Sequence, residues 1–259
     1  MPAEKSLPQR FIAAAQQSLG MDEGIAESHL AAGRVLLHYE KRIVDAAVAY
    51  RKSLAINPNS AECHVQLAFC ATLLGQYADA DKHATLADSM DPFSLMNLYF
   101  ISFIYWAADN HEKVLAYGNR LVDLEPNFFG GHLALGLVYL GTGRVEEAMV
   151  KLELSAAMNP DMLTLNTLAS AYEVIGEKVK ANAVIDKMKG IEGVQGSGSN
   201  FLGMAHVAIG ELDTAFAYFE KAMDDHEGNM LWIKINLRHN EAFMKDPRAH
   251  RLFERLGVA

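Results

Sequence analysis

An all-α solenoid of stacked helix pairs is the fold class this sequence predicts, and three observations predict it. Pro58, Pro92, Pro126 and Pro160 stand 34 residues apart without a slip. A ladder of mostly alanines keeps nearly the same step through Ala46, Ala80, Val114, Ala148, Ala181 and Ala215. Between these markers, apolar and small residues recur every three or four positions, the period of one helix face. A fixed repeat of this length marks a chain of units in which each buries its apolar face against the next.

Each period reads as two helices. In the second, residues 61–74 and 77–90 are helical and Gly75 supplies the left-handed conformation that ends the first helix. Asp91-Pro92 ends the pair, because the residue before a proline is pushed out of the helical region, and the proline then opens the next unit. Leu67, Ala68, Ala71, Tyr77, Ala80, Ala84 and Ala87 form the seam between the two helices. The third period departs from the others. Asp109 stands where a turn glycine is expected, Val114 replaces alanine, and Gly118 replaces an aromatic, so its helices are expected to pack with altered spacing. The first period carries one extra residue in its turn, between His38 and Arg42.

The ends read as caps, which repeat arrays need because a terminal unit otherwise leaves its stacking face in water. Pro8 to Leu19 looks like the second helix of a half-repeat. Near the other end, Asp246 is a good N-cap and Pro247 a natural first helical residue. A short helix from Ala249 to Leu256 follows, stopped by Gly257, with Leu252, Phe253 and Leu256 covering the last unit.

These marks resemble the tetratricopeptide repeat (TPR) family. The fourth period carries Leu135-Gly136, Tyr139, Gly143, Ala148, Ala156 and Pro160, and the sixth carries Leu202-Gly203, Gly210, Ala215, Phe219 and Ala222. The fifth gives Leu168-Ala169, Tyr172, Gly176 and Ala181; the first gives Gly33, Ala46, Tyr50 and Pro58. The resemblance implies a right-handed α-solenoid of about six TPR helix pairs forming one body over 1–259. Residues 1–26 are the half-repeat cap, 27–227 the six repeats, and 228–259 an extension with a capping helix. The tail Lys245-Asp246-Pro247-Arg248, Leu252-Phe253, Arg255-Leu256-Gly257, and the stretch Leu36-Leu37-His38-Tyr39-Glu40, resemble a narrower group. This is the C-terminal TPR region of bacterial signalling regulators linked to cyclase, kinase or winged-helix domains.

Composition narrows the partners. A net charge of −9 argues against a general nucleic-acid binder. From Leu231 onward six basic residues face three acidic ones, and a helix face solvated by arginines is favoured there over a phosphate or lipid site. Cys63 and Cys70, seven apart on one helix, lie about 10 Å apart, too far for a disulfide. Two free thiols and the lack of a secretory pattern predict a reducing, cytoplasmic setting. The most apolar window, Leu95 to Ala108, is too short to span a membrane and reads as a buried inner helix. No membrane partner is expected.

In the TPR arrangement the first helix of each pair lines a concave groove. The groove positions read Glu62, Val65, Phe69 and Thr72, then Met96, Tyr99, Phe103 and Trp106, then Gly130, Leu133, Leu137 and Leu140. Two polar sets follow: Leu163, Asn166, Ser170 and Glu173, then Ser197, Asn200, Met204 and Val207. None is Lys or Arg, so the carboxylate clamp of chaperone-binding TPRs is absent. The expected site is a peptide or partner segment held by apolar contacts to Phe69, Tyr99, Phe103, Trp106, Leu133 and Leu137. Its backbone would be held by Asn166, Ser170 and Asn200, since an amide offers both donor and acceptor. The bland reading is that the aromatics pack on one another and the asparagines bind water. A second copy of the chain is a further candidate occupant, as a homodimer.

No catalytic constellation is found. His64 and His132 fall where an aromatic usually packs, Asp224-Asp225-His226 reads as a solvated loop, and the glycines of 190–198 as a flexible connection. No cofactor or metal is expected, and an enzyme is improbable. The function predicted is a non-catalytic protein–protein interaction scaffold binding a peptide or partner protein. The alternative is a sensory or regulatory module of a bacterial signalling protein.

Overall fold

The computed structural model describes residues 24–195 and 197–258, all of whose regular structure is helical. They group into two compact units that divide between Pro92 and Phe93. The half-repeat helix expected at Pro8 to Leu19 lies outside the described residues.

The first unit contains α1 (Ala26–His38), α2 (Ile43–Ile56), α3 (Ala61–Leu73) and α4 (Tyr77–Met90), each packed on the next. Gly33 explains how the first pair closes. A Cβ there would come within 2.4 Å of the Tyr50 ring, so only glycine lets that fully buried aromatic lock α2 onto α1. The Tyr50 hydroxyl donates to Gln66 Oε1 of α3 at 3.4 Å, and Cys63 Sγ donates to Tyr50 O at 3.1 Å. Burial pushes the Cys63 thiol up to about 11 and the Cys70 thiol up to about 12. Both free cysteines therefore stay protonated at neutral pH and behave as small apolar core residues. The turn after α1 holds four residues where the other five pairs hold three, as the sequence predicts, and Lys41 takes its left-handed position.

The second unit continues with α5 (Leu95–Ala107), α6 (His111–Leu124), α7 (Phe129–Gly141), α8 (Val145–Met158), α9 (Met162–Val174), α10 (Lys178–Gln195), α11 (Ser199–Ala208) and α12 (Leu212–Asp224). A 3₁₀ turn (Gly228–Trp232) and three short helices, α13 (Ile233–Asn236), α14 (Glu241–Lys245) and α15 (Pro247–Leu256), complete it. Side chains placed just after the repeat prolines cap first helices: Ser94 accepts from Asn97 N, and Asp161 from Thr164 N. The pair α11–α12 repeats the lock of the first pair, Gly203 facing Phe219. In the departing third period the arrangement shifts. Gly118 on α6 faces Leu135 of α7, where a Cβ would come within 2.9 Å of it, so the glycine serves contact with the following pair.

One expectation is corrected in part. The glycine stretch is not a connection along its whole length: α10 runs through Gly190 and Gly193 to Gln195, and Ser197 and Gly198 precede α11. Both glycines are exposed, while Ile185 and Met188 of the same helix are buried. Packing on that face outweighs the roughly 1 kcal/mol that each glycine costs. The tail arginines stand on an exposed face, as expected, and two of them also make ion pairs. Arg248 pairs with Asp213 at 2.7 Å and Arg255 with Glu220 at 2.6 Å, tying α15 to α12. Asp246 caps α15 and Gly257 ends it at φ 69°, as expected. Phe243 is fully buried, stacked on Phe216 and edge-on to Phe219 and Phe253.

Candidate functional site

The inner helices place the predicted groove residues unevenly. Phe69, on α3 of the first unit, is 9% exposed. In the second unit Tyr99 sits at the centre of an aromatic cluster, with Phe103, Phe128 and Phe129 rings edge-on to it and Phe100 tilted against it. Gly130 makes this packing feasible, since a Cβ there would strike both Tyr99 and Phe128. Leu133 is fully buried in the same core, against which Phe103 and Leu137 pack as partly buried neighbours. This aromatic region is a packed core with a partly exposed rim at Phe103, Trp106 and Leu137.

Trp106 meets a residue that no groove pattern anticipated. The Arg238 guanidinium lies over its indole ring, 4.5 Å from the centroid. From there Arg238 donates to Trp106 O at 2.9 Å and to Asp109 Oδ1 at 2.6 Å. His239 Nε2 lies 3.4 Å from the same carboxylate oxygen. Asp109 holds the left-handed turn position with φ 54°, which Gly143, Gly176 and Gly210 hold in later pairs. Its hydrogen bond from Arg238 keeps its carboxyl below the usual carboxylate range. The segment 236–240 thus lies against α5 and α11 of the second unit, and Asn236 Nδ2 donates to Met204 Sδ of α11 at 3.4 Å.

Beside this segment is a cavity of about 350 Å³. Asn166, Ser170 and Glu173 of α9 and Met204 of α11 line one side, and Asn236, His239 and Asn240 the other. Ser170 Oγ donates back to the Asn166 backbone O, and both residues line the cavity. The buried Asn166 Oδ1 has no hydrogen-bond partner among the described residues. Asn166 and Ser170 are therefore brought together. Asn200 is not among the lining residues: it is 1% exposed at the start of α11. There the Glu227 carboxylate accepts from the backbone N–H groups of Gly198, Ser199 and Asn200 at 2.7–3.0 Å. A carboxylate at a helix N-terminus satisfies donors that the helix itself cannot.

The remaining candidates are structural. His132 Nε2 donates to Pro126 O at 2.8 Å. His64 and His83 meet through their Nδ1 atoms at 2.8 Å, and burial lowers the pKa of both. His226 takes the left-handed position that ends α12. Among the described residues no three His, Cys, Asp or Glu side chains converge as metal ligands, and no helix is long and apolar enough to cross a membrane. Arg238 and Glu227 were missed because each acts on residues 27 to 132 positions away in the chain. The one local signal was Asp109, the break in the glycine series.

Known proteins agree with this architecture. A tetratricopeptide repeat family model matches residues 49–82. Anaphase-promoting complex subunit 3 of Schizosaccharomyces pombe is 26% identical over 153 residues, 59% of this chain but 23% of that protein's length. The APC/C hetero-tetramer Cut9–Hcn1 superposes with TM-score 0.63 at 14% identity, covering 96% of this chain and 46% of the other. A monomeric mutant of IFIT1 with Gppp-AAAA gives TM-score 0.65 at 16% identity, covering 97% and 64%. At these identities the structural likeness establishes the fold. One stretch of the chain matches the tetratricopeptide repeat model, and the fold is the all-α architecture of consecutive packed helix pairs seen in these neighbours.

Proposed function

We propose that this protein is a non-catalytic interaction scaffold that takes up a segment of a partner protein along the inner helices of its second unit. One observation carries the reading: the cavity between α9, α11 and the segment 236–240, walled by Asn166 with an unused, buried side-chain acceptor. A buried polar atom left unpaired costs about 1–3 kcal/mol, so a partner backbone N–H gains by pairing with it once the amide turns into the cavity. The partly exposed rim at Phe103, Trp106 and Leu137 offers apolar contact nearby. The structural neighbour built on Cut9 and Hcn1 assembles with a protein partner, which accords with this reading.

The regulatory alternative has its own supporting observation, the chain's own segment 236–240 lying across the same region. The test is capture of partners from the native extract, followed by affinity measurement with Asn166→Ala and Phe103→Ala. At least a tenfold loss with either variant is expected; affinities unchanged by both would refute the site.

A further inference from the structure

The surroundings of Arg238 have the composition of a receptor for a guanidinium group. Three different features converge there. The Trp106 ring offers a face that attracts a cation, worth about 0.5–2 kcal/mol. Trp106 O lies in the last turn of α5, where the helix dipole is negative and no basic residue of the helix itself compensates it. The Asp109 carboxylate stands beside that turn because the left-handed position, glycine in four other pairs, here carries a side chain. Nη2 of Arg238 donates to both the carbonyl and the carboxylate, Nη1 donates to Ile235 O of its own segment, and the guanidinium plane lies on the ring. A planar cation can stack and donate at once, whereas an ammonium is a point charge without that plane. Arg238 uses all three, with its side chain 18% exposed, and none of the groove positions read from the sequence supplies a Lys or Arg of its own.

We infer that Trp106, Trp106 O and Asp109 form an arginine-binding site, held in cis by Arg238, and that a partner segment enters it with an arginine of its own, displacing the segment 236–240. This rests on the scaffold reading and names the chemistry of the partner: an extended segment with an arginine next to an apolar residue, as in Leu237-Arg238. The occupant in cis is attached to the site, so its effective concentration is high and a partner must compete with it. Displacement also uncovers the cavity, of which Asn236, Leu237, His239 and Asn240 form one wall. The arginine site and the Asn166 side of the cavity then become available in one step.

The test needs no natural partner. The probe is a synthetic peptide of residues 230–242, titrated into the full-length chain and followed by calorimetry and by the Trp106 indole resonance. Arg238→Ala empties the site and keeps its acceptors, so it should bind the peptide at least tenfold more tightly than the unaltered chain. Asp109→Gly also frees the segment, seen as faster amide exchange over 235–240, but removes the acceptor, so it should not bind. A peptide with alanine in place of the arginine should bind neither. Equal binding by Arg238→Ala and the unaltered chain, no binding by either, or equal binding of the alanine peptide, overturns the proposal. Circular dichroism checks the fold of Arg238→Ala; if it is lost, Arg238→Lys is used in the same titration with the same criteria. The scaffold reading is judged separately, by the effect of Asn166→Ala on captured partners.

Discussion

The C-terminal extension is held in two places by two kinds of physics. From Glu241 onward it is fastened by burial: Phe243 sits in a nest of Phe216, Phe219 and Phe253, and Leu252 and Leu256 are buried beside it. From Asn236 to Asn240 it is fastened by Arg238 on Trp106 and Asp109 and by the single buried side chain of Leu237, alongside a cavity. Apolar burial is lost only when the surrounding core opens, whereas a contact that is polar, local and beside open space can release while the rest stays folded. One extension can thus contain both a permanent cap and a detachable strap.

The largest expected effect lies in the cap. Phe243→Ala should cost about 3–5 kcal/mol in global stability, read from denaturant unfolding of the full chain. A loss under about 1 kcal/mol would mean that the aromatic nest does not anchor the tail. Next comes the turn series. Gly176 has φ +77° with open space around its missing Cβ, so Gly176→Asp should cost about 1–2 kcal/mol through conformation alone. No change in the melting temperature would show that these turns tolerate side chains freely.

The converse change, Asp109→Gly, should act locally. It relieves a left-handed aspartate but removes the strap's acceptor, so amide exchange over 235–240 should rise about tenfold while global stability moves by less than about 1 kcal/mol. Unaltered exchange there would break the contrast between cap and strap. Acid should act in the same direction. Because the folded-state pKa of Asp109 lies below its ordinary 3.8, the contribution of its carboxylate is present above that value and fades as pH falls further. Arg238 and His239 are the charged or titratable groups facing it, and the Trp106 indole resonance should report release only in that acid range. The smallest effect is expected from Arg255→Ala. Its pair with Glu220 is about half exposed on both sides, so a loss of 0–1 kcal/mol is anticipated by the same unfolding measurement.

Much of the fold was legible in the chain because it is written locally. Proline and small-residue spacing, the extra turn residue before Arg42 and the C-terminal cap at Asp246 all depend on residues within a few positions of one another. The glycines at 190 and 193 misled because their local preference opposes a helix. What kept them helical was burial of Ile185 and Met188 on the other side of α10.

The candidate site divides in the same way. The sequence by itself determined where the paired helices lie, that Asn166 and Ser170 share a helix face, and that the third period breaks the glycine series at Asp109. Only the tertiary structure decided that Leu133 and Tyr99 go to the core, that Asn200 is buried under Glu227, and that Arg238 returns across 132 residues to Trp106. The reason is range. Periodicity reports what each helix does with its near neighbours, whereas a cation finding a ring, a carbonyl and a carboxylate depends on where a distant segment comes to lie.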